Sequence, residues 1–383
     1  MSARRLTVLQ VLPALESGGV EKGTLEVAAA LVEKGHRSMV MSAGGRLVEQ
    51  LLESGSEHFA WPVGKKSLST LFLVRKLRQF LIEQRIDIVH VRSRLPAWIV
   101  YLAWKKMDPA SRPRFVTTVH GFNSVSWYSE VMARGERVIA VSNSVKQYVM
   151  DNYPRTKADA IKVIHRGIDP EQYPYGYQPN ESWVTDWYQQ FPMLLERKLV
   201  TLPGRITRIK GHEDFVTIVK ILVAQGFPVT GVIAGGAEKK KTGYFEELQA
   251  LIKKEGLTDH IVFTGQRSDL REIMAISSVV LSLTTKPESF GRTTLEALSM
   301  GVPVCGYAHG GVKEQLDILL PEGEVQPGDI DAVARVVMEW IEKPPVISRE
   351  HDFILNKMLD DTIGLYEEIS KSGIDRKPEQ GIF

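Results

Sequence analysis

Glu288 and Glu296 stand eight positions apart in Lys286-Pro-Glu-Ser-Phe-Gly-Arg-Thr-Thr-Leu-Glu296, with Gly291 between them at an expected loop-to-helix junction. That spacing puts Glu288 on the loop and Glu296 about a turn and a half inside the helix. The first amides of a helix have no partner within it and suit a phosphate. Two carboxylates beside them would repel that phosphate, so they read better as acceptors for the hydroxyls of a ribose and a hexose. The plainer alternative is a solvated loop acid next to a helix-face acid.

A second cluster, Pro203-Gly-Arg-Ile-Thr-Arg-Ile-Lys-Gly211, follows an expected strand. Arg205 and Lys210 can converge on one loop there, and Gly204 and Gly211 permit a tight path. Departure of a nucleoside diphosphate builds negative charge on the β-phosphate. Cations fixed at that point stabilise the transition state more than the ground state. A guanidinium offers a planar fork and an ammonium a point charge. A third stretch, Gly18-Gly19-Val-Glu-Lys22, would let backbone approach a ligand and aim the positive end of a helix at it. It is not G-x-G-x-x-G, which argues against a dinucleotide site. The fourth, Thr117-Thr-Val-His-Gly121, puts His120 at the carboxyl end of a strand, where an imidazole can hydrogen-bond a sugar hydroxyl.

Other chemically suggestive residues have simpler readings. Asp329-Ile-Asp331 matches a D-x-D metal pattern, but it follows Pro327-Gly328 and opens a helix, so Asp329 reads as an N-cap. No His, Cys and carboxylate set has metal-ligand spacing, so the chemistry is expected to run without metal or resident cofactor. Cys305, the one cysteine, excludes an internal disulfide and follows Pro303-Val304 in an expected buried strand.

The elements that must position these residues come from periodicity. Strands are expected over 6–12, 38–42, 86–91, 115–119, 138–141 and 162–164, with helices over 21–34, 68–84, 97–106 and 142–152. After an irregular, Pro-, Gly- and aromatic-rich stretch, strands are expected over 200–203, 229–234, 261–264, 279–283 and 302–307. Helices are expected over 213–225, 244–255, 269–276, 293–300 and 330–342, and a last one near 352–370. This alternation predicts α/β architecture with doubly wound parallel sheets. A chain of 383 residues is too long for one ordinary core. The expected division is residues 1–175, a linker at 176–195, a second domain at 196–345, and a tail at 346–383 whose helix packs back on the first domain. Arg4-Arg5 before an apolar run faintly imitates a signal peptide, but Gln10 and Pro13 interrupt it and it reads as the first strand.

Net charge is only +2, but it is unevenly placed. Residues 1–175 hold 25 Lys and Arg against 16 Asp and Glu, a net +9, and the remainder holds 23 against 30, a net −7. Different partners for the two halves follow. The segment 65–85 combines helical apolar spacing at Leu68, Leu71, Phe72, Leu77, Phe80 and Leu81 with Arg75, Lys76 and Arg78. It is either a basic face for anionic lipid or an ordinary surface helix.

Together the four clusters resemble the retaining GT-B enzymes of glycosyltransferase family 4. Gly204-Arg205 with Lys210-Gly211, Phe263-Thr-Gly265, the Glu288/Glu296 pair and Gly310-Gly-Val-Lys-Glu314 fall in the family's order. In the first half Gly18-Gly19, Lys34-Gly-His36, Val119-His-Gly121 and Val141-Ser-Asn-Ser144 are similar too. The resemblance implies two Rossmann-like domains with a cleft between them. It makes His120, Arg205, Lys210 and Glu288 catalytic. The donor would be bound by Gly18, Gly19, Arg205, Lys210, Glu288, Ser289, Phe290, Gly291, Arg292, Thr293 and Glu296. Arg205 and Lys210 would hold the diphosphate, Glu296 the ribose, Glu288 the donor sugar, and Phe290 and Gly291 would offer backbone amides. The partners implied are a nucleotide-diphosphate sugar, UDP-linked by preference, and a glycan or glycolipid acceptor such as lipopolysaccharide core; nucleic acid is not among them. The expected place is the cytoplasm, peripheral on the inner membrane. One departure is His165-Arg166-Gly-Ile-Asp169, where many relatives carry Pro-Asn before Gly-Val-Asp. A nucleotide-sugar epimerase of the same architecture and a non-catalytic nucleotide-sugar binder are the competing readings.

Overall fold

The computed structural model describes residues 4–67, 72–237 and 242–371. The chain divides into two compact units, one holding residues up to 165 and from 356 onward, the other residues 166–355. In the first unit, strands β1 (Thr7–Val11), β2 (Arg37–Ser42), β3 (Glu57–Ala60), β4 (Ile88–Val91), β5 (Arg114–Val119), β6 (Arg137–Ala140) and β7 (Ile161–Val163) form one parallel sheet. Their order is β3-β2-β1-β4-β5-β6-β7. Helices α1 (Gly19–Glu33), α2 (Val48–Glu53), α3 (Phe72–Glu83), α4 (Arg94–Lys105), α5 (Trp127–Glu130) and α6 (Asn143–Asn152) connect them. Every residue of β4, Ile-Val-His-Val, is buried, as befits a parallel strand covered on both faces. Leu68 and Leu71 lie outside the described residues; α3 buries Leu77, Phe80 and Leu81.

The second unit begins with α7 (Glu181–Gln190) and continues through β8 (Lys198–Pro203), α8 (His212–Ala224), β9 (Val229–Ala234), α9 (Thr242–Lys254), β10 (Ile261–Phe263) and α10 (Leu270–Ala275). Then follow β11 (Val279–Ser282), α11 (Arg292–Ser299), β12 (Val304–Tyr307), α12 (Gly310–Leu319), β13 (Glu324–Val325) and α13 (Ile330–Glu342). The six strands pair in parallel in the order β10-β9-β8-β11-β12-β13. The chain then returns to the first unit as α14 (Leu355–Lys371). There Tyr366 is fully buried, its hydroxyl 2.6 Å from Nδ1 of His90, whose Nε2 meets Thr118 Oγ1 at 2.6 Å.

The doubly wound parallel α/β architecture agrees with the alternation in the sequence. Several elements do not show there. β3 and β13 are short edge strands with one pairing neighbour each, too brief for periodicity to register. Residues 181–190, expected as irregular chain, form a helix. Asn180 caps it by accepting from Trp183 N–H at 2.8 Å. Trp183, Trp187 and Phe191 repeat every fourth residue and so share one face. Trp187 is buried with Leu194, Leu199, Val232, Ala234 and Ile273. The Pro and Gly density just upstream obscured that spacing. Among the described residues no helix is long and apolar enough to cross a membrane.

Candidate active site at the β8–β11 switch point

The second sheet changes direction between β8 and β11: β9 and β10 build outward on one side, β12 and β13 on the other. Open α/β sheets bind ligands beyond the strand carboxyl ends at such a reversal. Residues 204–211 leave β8 there and residues 283–291 leave β11. The two loops are fastened together, with Thr285 N–H donating to the Ile209 carbonyl at 2.9 Å. Gly211, at φ 72°, precedes α8, and a Cβ on it would stand 2.1 Å from the Leu283 carbonyl oxygen. Only glycine meets both the backbone conformation and the close approach.

Across this junction the Lys210 ammonium pairs with Oε1 of Glu288, both side chains largely shielded at 26% and 21% exposure. Thr284 Oγ1 donates to the same carboxylate oxygen at 2.9 Å. His309 donates through Nε2 to the Thr284 carbonyl at 2.6 Å, so Thr284 is itself held. Behind the loop, the Gly311 N–H donates to the Glu288 carbonyl at 2.7 Å. Gln315 Nε2 donates to the Phe290 carbonyl at 2.5 Å. Side chains at 310 and 311 would collide with this backbone, since a Cβ on Gly310 would lie 2.3 Å from the Glu288 oxygen and one on Gly311 2.4 Å from the Phe290 Cα. The start of α12 therefore clamps residues 288–290 from below.

Gly291, at φ 82°, caps α11, whose first residues are Arg292 and Thr293. Glu296 is buried at 8% exposure and accepts from Arg292 Nε at 2.9 Å. Tyr173 lies near the same carboxylate; burial first, then that negative charge, pushes the pKa of its hydroxyl well above the ordinary phenol value. His212, the first residue of α8, is fully buried beneath the loop, and burial holds its pKa below the usual imidazole value.

The second unit thus collects Arg205, Lys210, Glu288, Ser289, Phe290, Gly291, Arg292, Thr293 and Glu296 on two adjoining loops and one helix start. Arg205 is exposed on the first loop, and Ser289 and Thr293 are half-buried. The Phe290 ring is buried against Phe353, so only its backbone can face a ligand. Gly18, Gly19 and His120 belong to the first unit. Gly18 precedes α1, Gly19 has nothing within 4 Å of its missing Cβ, and His120 directly follows β5. β1 and β5 are separated by β4.

Tyr173, Thr284 and His309 were not legible as site residues. Tyr173 falls in the aromatic stretch read as irregular chain, and Thr284 and His309 carry no spacing signal. The two other motifs behave as helix and core residues: Asp329 Oδ1 accepts from Ala332 N–H at 2.9 Å at the start of α13, and Cys305 is buried in β12, where burial raises the thiol pKa.

Comparison with known proteins matches residues 17–172 to the family described as Glycosyltransferase Family 4 and residues 185–357 to Glycosyl transferases group 1. Among relatives, the N-acetyl-alpha-D-glucosaminyl L-malate synthase of Bacillus anthracis is 25% identical over 255 residues, 64% of this chain and 62% of that protein. The chain therefore spans less than two thirds of that relative's length. The crystal structure of a glycosyltransferase from Rickettsia africae ESF-5 superimposes with TM-score 0.79 at 28% identity, covering 96% of this chain and 99% of that one. Anabaena Alr3699/HepE, solved with UDP and glucose, has the same fold with TM-score 0.70 at 22% identity, covering 97% and 96%. The chain thus carries a region matching the Glycosyltransferase Family 4 model followed by one matching the group 1 model, on two parallel α/β sheets with the GT-B fold of the glycosyltransferases it resembles.

Proposed function

We propose that the chain moves a hexose, with retention of configuration, from a nucleotide-diphosphate sugar to a glycan or lipid-linked acceptor, without a bound metal. The observation that carries this reading is the meeting of Lys210 and Glu288 across two fastened loops at the sheet's switch point, beside the amino end of α11. Lys210 and Arg205 hold the diphosphate, Glu296 takes the ribose hydroxyls, and Glu288 takes a hydroxyl of the donor sugar. The backbone of Phe290 and Gly291 and the α11 start, with Ser289, Arg292 and Thr293, complete the donor site. Pairing with Glu288 keeps the Lys210 charge in place until the diphosphate competes for it. In the reaction the bond from the anomeric carbon to the diphosphate oxygen breaks and the bond to the acceptor oxygen forms on the same face. The acceptor's proton passes to the departing diphosphate, so no dedicated base is needed. His120 and Gly18-Gly19 are assigned to the donor sugar and the phosphates on the family resemblance alone.

UDP is the favoured nucleotide, in keeping with the UDP and glucose held by the Anabaena protein. The net +9 of residues 1–175 supports an anionic acceptor of the lipopolysaccharide-core kind. It also supports docking on the cytoplasmic face of the inner membrane through α3, where Phe72 and Ile82 are exposed alongside Arg75 and Lys76. Co-sedimentation that ignores the anionic-lipid fraction and salt would remove the membrane part. The activity itself is tested by incubating the protein with UDP-, GDP- and ADP-sugars, with and without acceptor extract. Acceptor-dependent nucleotide release is expected. Interconversion of donor sugars would make it an epimerase, and saturable binding without turnover a non-catalytic binder.

A further inference from the structure

Within the second unit, a pocket of about 200 Å³ opens at the other end of α11 from the donor loops. Tyr173, Tyr175, Ser299, Arg349 and His351 line it, with two isoleucines, a proline and a second serine; no carboxylate is among the lining residues. Tyr175 is firmly placed although 42% exposed. A Cβ on Gly301, at φ 80°, would come within 2.9 Å of its ring, and the Gly176 N–H donates to the Met300 carbonyl at 2.9 Å. Its ring in turn carries the Arg349 guanidinium 3.8 Å from the centroid. Among the described residues Arg349 enters no ion pair, so the cation is oriented by an aromatic face and not neutralised by an acid. His351 accepts from Phe353 N–H at Nδ1, 3.1 Å away. In the neutral ring that leaves Nε2 carrying the proton, a second donor. Burial, which lowers the His351 pKa, favours that neutral form.

We propose that this pocket is a second ligand site, separate from the donor site, for a small phosphorylated sugar. The cation and donors address the phosphate, and the tyrosine faces offer apolar surface to the C–H face of a pyranose. The volume is below the roughly 300–1,000 Å³ of pockets for drug-sized ligands, which fits one ring. The site also adjoins Glu296: Tyr173 lines the pocket, and the Glu296 charge acts on its hydroxyl. A ligand leaning on Tyr173 therefore changes how Glu296 is held, and by linkage the nucleotide changes the ligand's affinity by the same factor. This coupling, unlike the binding, rests on Glu296 reading the ribose.

The test is calorimetric titration of the full chain with glucose 6-phosphate, inorganic phosphate and glucose. Glucose 6-phosphate should bind saturably, more tightly than the other two, and should persist at saturating UDP. Arg349→Gln should weaken it about tenfold or more, the scale of losing a charged hydrogen bond, without lowering Tm. Tyr175→Leu should weaken it as well. Lys210→Ala should leave it unchanged, which separates failure here from failure of the donor site. Absence of saturable heat, displacement by UDP, or full binding by Arg349→Gln would each overturn the site, and equal affinity for inorganic phosphate would overturn the sugar. UDP affinity should shift several-fold with glucose 6-phosphate in the wild type and not in Tyr173→Phe; an unshifted wild type would overturn the coupling.

Discussion

Lys210 and Glu288 hold each other across the junction where, in the proposed reaction, the departing diphosphate is stabilised. Removing the ammonium leaves the developing charge on the β-phosphate without its nearest fixed cation. Lys210→Ala or Arg205→Ala should lower kcat/KM by roughly 10²–10³ while the fold persists, the scale of losing one transition-state donor. Near-normal steady-state turnover in either variant would show that the phosphate site lies elsewhere. Glu296 acts on a different quantity. Its buried carboxylate already accepts from Arg292, so in the proposed site it serves as a preformed acceptor for the ribose diol. Glu296→Gln should weaken UDP about 10–100-fold, as expected for a charged hydrogen bond, with less effect on kcat. Calorimetry with UDP and with 2′-deoxy-UDP checks this: the two nucleotides should bind the variant more nearly alike.

Short elements with little stability of their own build the site, so their glycines matter. Gly211 combines a left-handed backbone with contact against the Leu283 carbonyl. Gly211→Ala should cost about 1–3 kcal/mol of stability and should also loosen nucleotide binding, because it separates the loops that carry Lys210 and Glu288. Urea unfolding and a UDP titration on the same variant measure both; an unchanged pair of values would mean that the loops are not coupled through this contact. The histidine that follows gives a pH signature. Burial depresses the pKa of His212, and of His58 and His351. A depressed pKa means that the unfolded chain takes up the proton first on acidification. Stability from these groups is thus intact above the unfolded value, about 6.5, and falls as the pH drops below it. Unfolding free energies at pH 7.5 and 5.5 should differ in that sense, and greater stability at the lower pH would contradict it.

At the scale of the whole chain, each half is its own doubly wound sheet, and the last helix returns to the first unit after the second is complete. α14 is held there by more than its apolar face. The Tyr366 hydroxyl reaches His90, and His90 reaches Thr118, both at 2.6 Å and all buried. Arg92 nearby is buried too; burial lowers its pKa, and it donates to Gln10 Oε1 at 2.7 Å. Tyr366→Phe keeps the ring and removes the hydroxyl's bond to His90, an expected loss of about 0.5–1.5 kcal/mol. A denaturation midpoint equal to wild type would show that the hydroxyl is dispensable.

The sequence by itself determined the strand and helix alternation, the parallel sheets and the chemical types at the donor loops. Those features are local: β-branched runs, glycine pairs and fixed spacings between charges are read along the chain. Only the tertiary structure decided that Lys210 meets Glu288, that Gly310-Gly311 support the loop from behind, and that Arg292 and Tyr173 gather around Glu296. These contacts join residues brought together by strand order, and spacing along the chain does not encode which loops become neighbours. The helix at 181–190 lies between the two cases. Its fourfold aromatic spacing was present throughout, but it took the hydrophobic face formed by Leu199, Val232 and Ile273 to give that spacing something to bury against.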